Sequence, residues 1–274
     1  MPAGRISRFR VCLRHRMTGE WPVVSPYEPY ELHEPASAKF IRFVCTRQRK
    51  GESMPQKNIR QFIEGFQRFQ NKYFNGDDPL FQHLNLGQSP TTLLIGCCDS
   101  RVDPALLLDC DPGDIFVVRN VANLVPPCNE SEFQHGVSAA IQFAVEALQV
   151  KRVIVMGHEK CGGISALMQG YEPSRKVDFI GPWMKIVEPV KQDVLMRYRQ
   201  HSVDEQKRAC ELGAIVMSLN NLRSFPWVSE REAAGQLELH GWYFDMNHGA
   251  LLAYSERQGE FVPMVAAAPG TQAA

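Results

Sequence analysis

The sequence predicts an α/β fold: a mainly parallel β-sheet core flanked by helices, with a C-terminal antiparallel edge strand. Three observations carry this. Short runs at 92–96, 115–119 and 152–157 are continuously apolar rather than alternating, as strands buried on both faces are. Segments of helical spacing separate them, the alternation that makes a covered parallel sheet. Near the C-terminus, "QLELHGWYFDM" (236–246) is rich in β-formers and "GALLAYSER" (249–257) returns after a tight turn at Asn247-His248-Gly249, an antiparallel pairing.

The elements follow in order. From Lys57 to Phe74, Ile59, Phe62, Ile63, Phe66, Phe69 and Tyr73 fall on one helical face, and "NGDDP" (75–79) stops it. A short segment runs to Gly87. The first strand ends at Gly96, and Pro104 can open a short helix. "DPGD" (111–114) is a turn before "IFVVR" (115–119). After "VPP", residues 131–149 place Phe133, Val137, Ala140, Ile141, Ala144, Val145 and Leu148 on one side of a helix. "RVIVMG" (152–157) is the third buried strand, and Gly162-Gly163 begin another helix. Residues 176–223 are mostly helical, with a break near 199–203.

The chain has 274 residues, 44% apolar and 22% charged, the composition of a globular protein with a sizeable core. Its 30 Lys/Arg balance 30 Asp/Glu. Whole-chain charge therefore gives no reason to expect nucleic acid or an anionic membrane as partner. No apolar run reaches the roughly 18–20 residues of a span, and no charged stretch leads into a signal-type apolar segment. The eight cysteines are scattered, which fits a reducing, cytoplasmic setting rather than a disulfide framework.

Residues 1–53 stand apart. They hold 10 Lys/Arg against five Asp/Glu, with no acid before Glu20, and no period persists. They read as a disordered extension, as upstream sequence before a start at Met54, or as an organellar transit peptide. Residues 54–274 read as a single catalytic domain.

Two short stretches hold the chemistry. "GCCDSRVDP" (96–104) follows the first strand and "GHEKCGG" (157–163) follows the third. In open α/β sheets, functional groups gather at the carboxyl ends of strands. An H-x-x-C pair is weak evidence alone, and a buried Cys is commonplace. Taken together, Cys97, His158 and Cys161 make a Cys₂His set, which tetrahedral zinc takes when a fourth position stays open. The two glycines let the backbone approach closely and start a helix whose positive end favours the Cys161 thiolate. Asp99 and Arg101 are two apart and can face the same point. Arg101 then keeps the carboxylate ionised and oriented, ready to accept a proton or to swing in as a fourth ligand. The competing interpretation of that pair is a salt bridge at a strand end.

These motifs resemble the C-x-D-S-R and H-x-x-C-G-G signatures of the β-class carbonic anhydrases. The likeness continues through "GDIFVVRNVANLVPP" (113–127) and covers roughly residues 55–260. It implies zinc-dependent reversible hydration of carbon dioxide to bicarbonate and a proton, with one Zn²⁺ per subunit on Cys97, His158 and Cys161 and with Asp99 and Arg101 as the catalytic dyad. Cys98 takes the variable position between ligand and dyad and is not expected to ligate. Leu94 stands where members that shut at lower pH carry Trp, and Gln88 stands where open, plant-like members carry Gln. Phe116, Val121 and Gly162 match their pocket residues, while Phe143 replaces a Tyr and loses its hydroxyl. The resemblance further implies a homodimer or higher even-numbered assembly with the pocket at the subunit boundary. Helix 57–74 is then either an arm on the partner or packed on its own domain.

Two rival functions share the residues. A hydrolase of CS₂ or COS would use the same metal chemistry with different pocket access. A noncatalytic zinc or thiol-redox protein has no need of the Asp99–Arg101 pair. A proton must also reach solvent, and His83 and His135 are candidates for carrying it by residue type alone.

Overall fold

The computed structural model describes residues 57–74, 80–129, 135–173 and 176–269. The expectations for 1–53, for the 75–79 stop and for the start of the helix at 131–134 lie outside the described residues. A mixed six-stranded sheet is built in the order β2-β1-β3-β4-β5-β6 from β1 (Thr92–Cys97), β2 (Ile115–Asn120), β3 (Arg152–His158), β4 (Glu238–Asp245), β5 (Ala250–Ser255) and β6 (Glu260–Val265). The first four strands are parallel; β5 and β6 are added antiparallel. The α/β class and the parallel core match the sequence reading. One correction concerns the edge: "GALLAYSER" is not the last strand, because β6 pairs outside it and forms the sheet's edge. Pro263 within β6 reads as a strand breaker, yet an edge strand tolerates it because one side of its backbone needs no ladder partner.

The helices are α1 (Ile59–Phe74), α2 (Leu80–Leu84), α3 (Pro104–Leu107), α4 (Gly136–Gln142, running into a π-type turn at Phe143–Ala147), α5 (Gly162–Met168), α6 (Ile180–Met184), α7 (Glu188–Arg197), α8 (Val203–Arg223) and α9 (Pro226–Ala233). Ser202 and Glu205 form a reciprocal capping box that starts α8 at the break expected near 199–203. Among the described residues, no helix is long and apolar enough to cross a membrane.

β1 is buried at all six positions, and β3 at all but its first, which explains their unbroken apolar sequences. On one face Leu93, Ile95, Val153 and Val155 pack with Ile215, Leu219 and Leu222 of α8. On the other, Leu94, Ile154 and Met156 form a smaller cluster with Leu108 and Trp242. Leu94, the position that raises the subtype question, is fully buried here. Register fixes the site: Gly96 lies beside Met156, and His158 beside Phe244. Cys97 and His158 thus leave the sheet at the same edge.

Candidate metal centre and its acid–arginine pair

Cys97, the last residue of β1, His158, the last of β3, and Cys161, which caps α5, bring their ligand atoms within 4.8 Å of one another. All three are buried. The H-x-x-C spacing works because Lys160 takes a left-handed backbone, φ 57°, and turns the chain back so that Cys161 faces His158. α5 can start there because Gly163 carries no side chain: a Cβ would lie 2.9 Å from Val121 Cγ1 and 3.2 Å from Ala122 Cβ. Ala122 and Asn123 are themselves left-handed, φ 64° and 49°. The Asn120 side chain clamps that turn, donating to Leu124 O at 2.8 Å and accepting from Leu124 N at 2.9 Å.

The donor set fits a soft or borderline divalent cation. His158 Nδ1 donates to Glu159 O at 2.8 Å, which leaves the Nε2 lone pair free. Among the described residues, Nε2 is the buried side-chain polar atom with no hydrogen-bond partner, a cost that a metal ion removes. The thiols agree. The Cys161 hydrogen bond brings Cys97 down to about 4 against its burial, helped by His158 and the Asp99 amide. The same contact with Cys97, together with burial, pushes Cys161 far up. Two buried sulfurs this close do not readily carry charge together, and a cation is what lets both ionise. Burial presses His158 down, but the Cys97 sulfur and charge, the Glu159 carbonyl and Asp99 outweigh it and leave it raised.

Asp99 and Arg101 meet beside this cluster. Arg101 Nε donates to Asp99 Oδ1 at 2.8 Å and Nη2 to Oδ2 at 2.6 Å, while the Arg101 amide donates to Oδ1 at 3.0 Å. Arg101 Nη2 also reaches Lys160 O at 3.0 Å, tying the two motif loops together. These bonds lower Asp99 to about 2 in spite of partial burial. Oδ2 lies 4.0 Å from His158 Nε2, so the carboxylate borders the point on which the ligands converge.

Three residues outside the expected set build the loop. Arg119 donates to Cys97 O at 2.9 Å, Asp99 O at 2.8 Å and Asp103 Oδ2 at 2.8 Å. Asp103 caps α3 by accepting from Ala105 N and Leu106 N, with Pro104 in the first turn. Glu211 of α8, buried, accepts from the Cys161 amide at 2.9 Å and from Tyr243 Oη at 2.7 Å. Burial raises its carboxyl, and these two bonds pull it partly back. Arg119 and Asp103 lie within the recognised motifs. Glu211 is 50 residues from its partner Cys161, and the helix that carries it shows no apolar stripe in sequence that would mark it as buried.

The pocket residues divide. Gly162 begins α5, and Val121, half exposed, follows β2 and lies against Gly163; both adjoin the cluster. Phe116 and Phe143 lie together, ring centroids 5.8 Å apart. Phe116 pairs with Leu93 whereas Asn120 pairs with Cys97, so four residues of about 3.3 Å each set Phe116 back by about 13 Å along the sheet. Gln88 is exposed in the segment before β1. Cys98 is exposed and outside the cluster. His83 is exposed on α2, and His135 stacks on Trp183 at 5.7 Å.

Fold and site together define an α/β protein whose strand ends carry a Cys₂His cluster that could hold a metal ion, with a carboxylate at its border. The family model for carbonic anhydrase matches residues 92–251. A carbonic anhydrase of Synechocystis sp. is 34% identical over 204 residues, 74% of each chain. The solved β-carbonic anhydrase CcaA superposes with a TM-score of 0.71 at 34% identity, over 76% of this chain and 100% of that one. A structure of tetrameric β-carbonic anhydrases from Sordaria macrospora gives 0.56 at 27% identity, over 75% and 92%. The chain belongs to the carbonic anhydrase family, in its β class. Its reaction is the reversible hydration of carbon dioxide to bicarbonate and a proton.

Proposed function

We propose that this enzyme hydrates carbon dioxide at a single Zn²⁺ held by Cys97, His158 and Cys161, in a site that stays open at neutral pH. The observation that supports this best is the orphaned Nε2 of His158, converging with two cysteine sulfurs beside a carboxylate whose two oxygens are both occupied by Arg101. Bound zinc supplies a water of lowered pKa, roughly 7 where neutral histidines hold the ion. With the ion bound, Asp99, held ionised by Arg101, would accept a hydrogen bond from that water and aim it. Arg101 holds Asp99 back from the ligand cluster. Val121 and Gly162 shape the near wall around substrate, and the Gln88 amide donates to a substrate oxygen as charge develops.

Phe116 and Phe143 lie too far along the sheet to wall the same chain's centre. We assign them to the pocket of a second copy, which makes a homodimer the working unit. The exposed apolar face of α1, with Ile59, Phe62, Ile63 and Phe66 all more than half exposed, is an arm suited to that partner. The tetramers named for Sordaria macrospora agree with an even-numbered assembly.

Stopped-flow hydration of carbon dioxide by zinc-loaded protein, followed with a pH indicator from mildly acidic to alkaline pH, tests the proposal. Rapid turnover persisting near neutrality is expected. Activity confined to strongly alkaline pH would mean that Asp99 leaves Arg101 and shuts the site, and no hydration at any pH would refute the reading.

A further inference from the structure

We infer that Glu211 is a positioning residue for the metal centre, fixing Cys161 through its main-chain amide. The inference rests on the metal-holding role proposed above and starts from how α8 meets the sheet. Gly157 of β3 and Gly241 of β4 have no side chains, and Ile215 fills their place. A Cβ on Gly157 would lie 2.7 Å from Ile215 Cδ1, and one on Gly241 2.8 Å from Ile215 Cγ2. α8 therefore lies close against the carboxyl half of the sheet. Glu211 is one turn before Ile215, on the same buried face as Ala214, Ser218, Leu219 and Leu222.

An acid at that position is expensive. It is 4% exposed, and a buried carboxylate is strongly destabilising when a partner is missing. A Leu or Met would fill the space without that cost. What the carboxylate gains is a pair of bonds: the Cys161 amide donates to Oε1 at 2.9 Å and the Tyr243 hydroxyl to Oε2 at 2.7 Å. Tyr243 is fully buried beside Gly157 in the sheet, with the Arg208 guanidinium 5.1 Å over its ring. The carboxylate is thus aimed by a rigid phenol at the backbone of a candidate ligand.

That backbone needs holding. Lys160 is left-handed without being glycine, a conformation that persists only where the surroundings over-determine it. Arg101 holds it from one side, through the Lys160 carbonyl at 3.0 Å. Glu211 holds it from the other, through the next amide. The Cys161 sulfur is then placed before any ion arrives, and loss of such an outer contact typically costs 10–100-fold in metal affinity or activity.

Zinc binding by the full chain, measured by competition with a chromophoric chelator, tests this alongside the thiolate-to-cobalt band of Co²⁺-loaded protein. Glu211→Met fills the volume but cannot accept the Cys161 amide; zinc should bind 10–100-fold more weakly and the cobalt band should shift. Glu211→Gln keeps a carbonyl for the same amide and should recover most of the affinity. Wild-type affinity and an unmoved band in Glu211→Met would overturn the inference, as would Glu211→Gln being as weak as Glu211→Met. If Glu211→Met does not fold, Tyr243→Phe removes the hydroxyl that aims the carboxylate. A several-fold weaker site then supports the role, and an unchanged one overturns it. Wild-type protein that takes up no zinc would instead sink the proposed function itself.

Discussion

Arg101 holds both oxygens of Asp99 in a fork, at 2.8 and 2.6 Å, and Asp99 lies two residues after Cys97, the strand-end cysteine. Half of the Arg101 side chain is exposed, so the ion pair adds little to stability; its value is direction. A lysine carries the same charge but cannot present a planar fork. Arg101→Lys should therefore leave the thermal midpoint and zinc content as they are while lowering kcat/KM for carbon dioxide about 10–100-fold, the usual scale for a lost orienting partner. Metal analysis and stopped-flow hydration on the same preparation check this.

The thiol pair gives a second expectation. Cys97 and Cys161 are buried side by side, and an ion that binds both sulfurs must bind both as thiolates. Stripping zinc with a chelator should expose two more thiols per chain to a disulfide reagent under mild denaturation, and readdition of zinc should protect the same two. Cys98, exposed beside them, should react in both states. Mass mapping of the labelled positions decides it.

Much of this centre was legible in the sequence, for reasons that differ by residue. Strand ends, turn glycines and the paired motifs are local signals, so Cys97, Asp99, Arg101, His158 and Cys161 could be brought together on paper. The alternation of buried strands and helices gave the parallel core. Two things escaped. β6 escaped because "EFVPMV" contains a proline and has no buried position, and only its pairing with β5 makes it a strand. Glu211 and Tyr243 escaped because their meaning depends on α8 crossing β3 and β4 at two glycines, contacts between residues 26 to 58 apart in the chain. Phe116 shows the opposite limit. Motif matching places it in the pocket, whereas register sets it back by about 13 Å along the sheet from the strand end, and the proposed dimer is what would bring the two together.

That assembly can be tested at α1. Its apolar residues Phe62 and Phe66 are 59% and 64% exposed, an unusual amount of aromatic surface for a helix facing water. Phe62→Glu combined with Phe66→Glu should shift the protein toward monomer by sedimentation velocity. It should lower hydration activity in step with the monomer fraction and leave zinc content per chain unchanged. Monomeric protein with full activity would show that one chain suffices.

The glycine seat of α8 carries its own prediction. Gly157→Ala places a methyl 2.7 Å from Ile215 Cδ1 and 2.9 Å from Cγ1, inside van der Waals contact, in a strand with no slack. Overpacking of this kind costs about 1–3 kcal/mol. Chemical denaturation should report that loss, and Ile215→Val in the same chain should recover part of it by removing the clashing Cδ1. Non-additivity is the signature sought, because the two side chains share one space.

Acid sensitivity should trace to Asp245, at the end of β4. It is buried, accepts from His248 Nδ1 at 2.9 Å and from the His248 amide at 3.1 Å, and pairs with Arg208 at 3.0 Å. Burial alone would raise its carboxyl, but the bonds from His248 and the charge of Arg208 reverse that and leave it lowered. A carboxyl lowered on folding stabilises the native state above its unfolded value of about 3.9, and the contribution is lost as pH falls through the folded value. Asp245→Asn should therefore cost roughly 1–3 kcal/mol at pH 7, the scale of a charge-assisted bond lost inside. The gap between variant and wild type should narrow as pH drops below about 4, where the unfolded chain takes up the proton that the folded carboxyl still resists. Urea unfolding at several pH values measures both curves. A gap that stays constant down to acid pH would mean that the asparagine fails through shape, and that the charge of Asp245 contributes nothing.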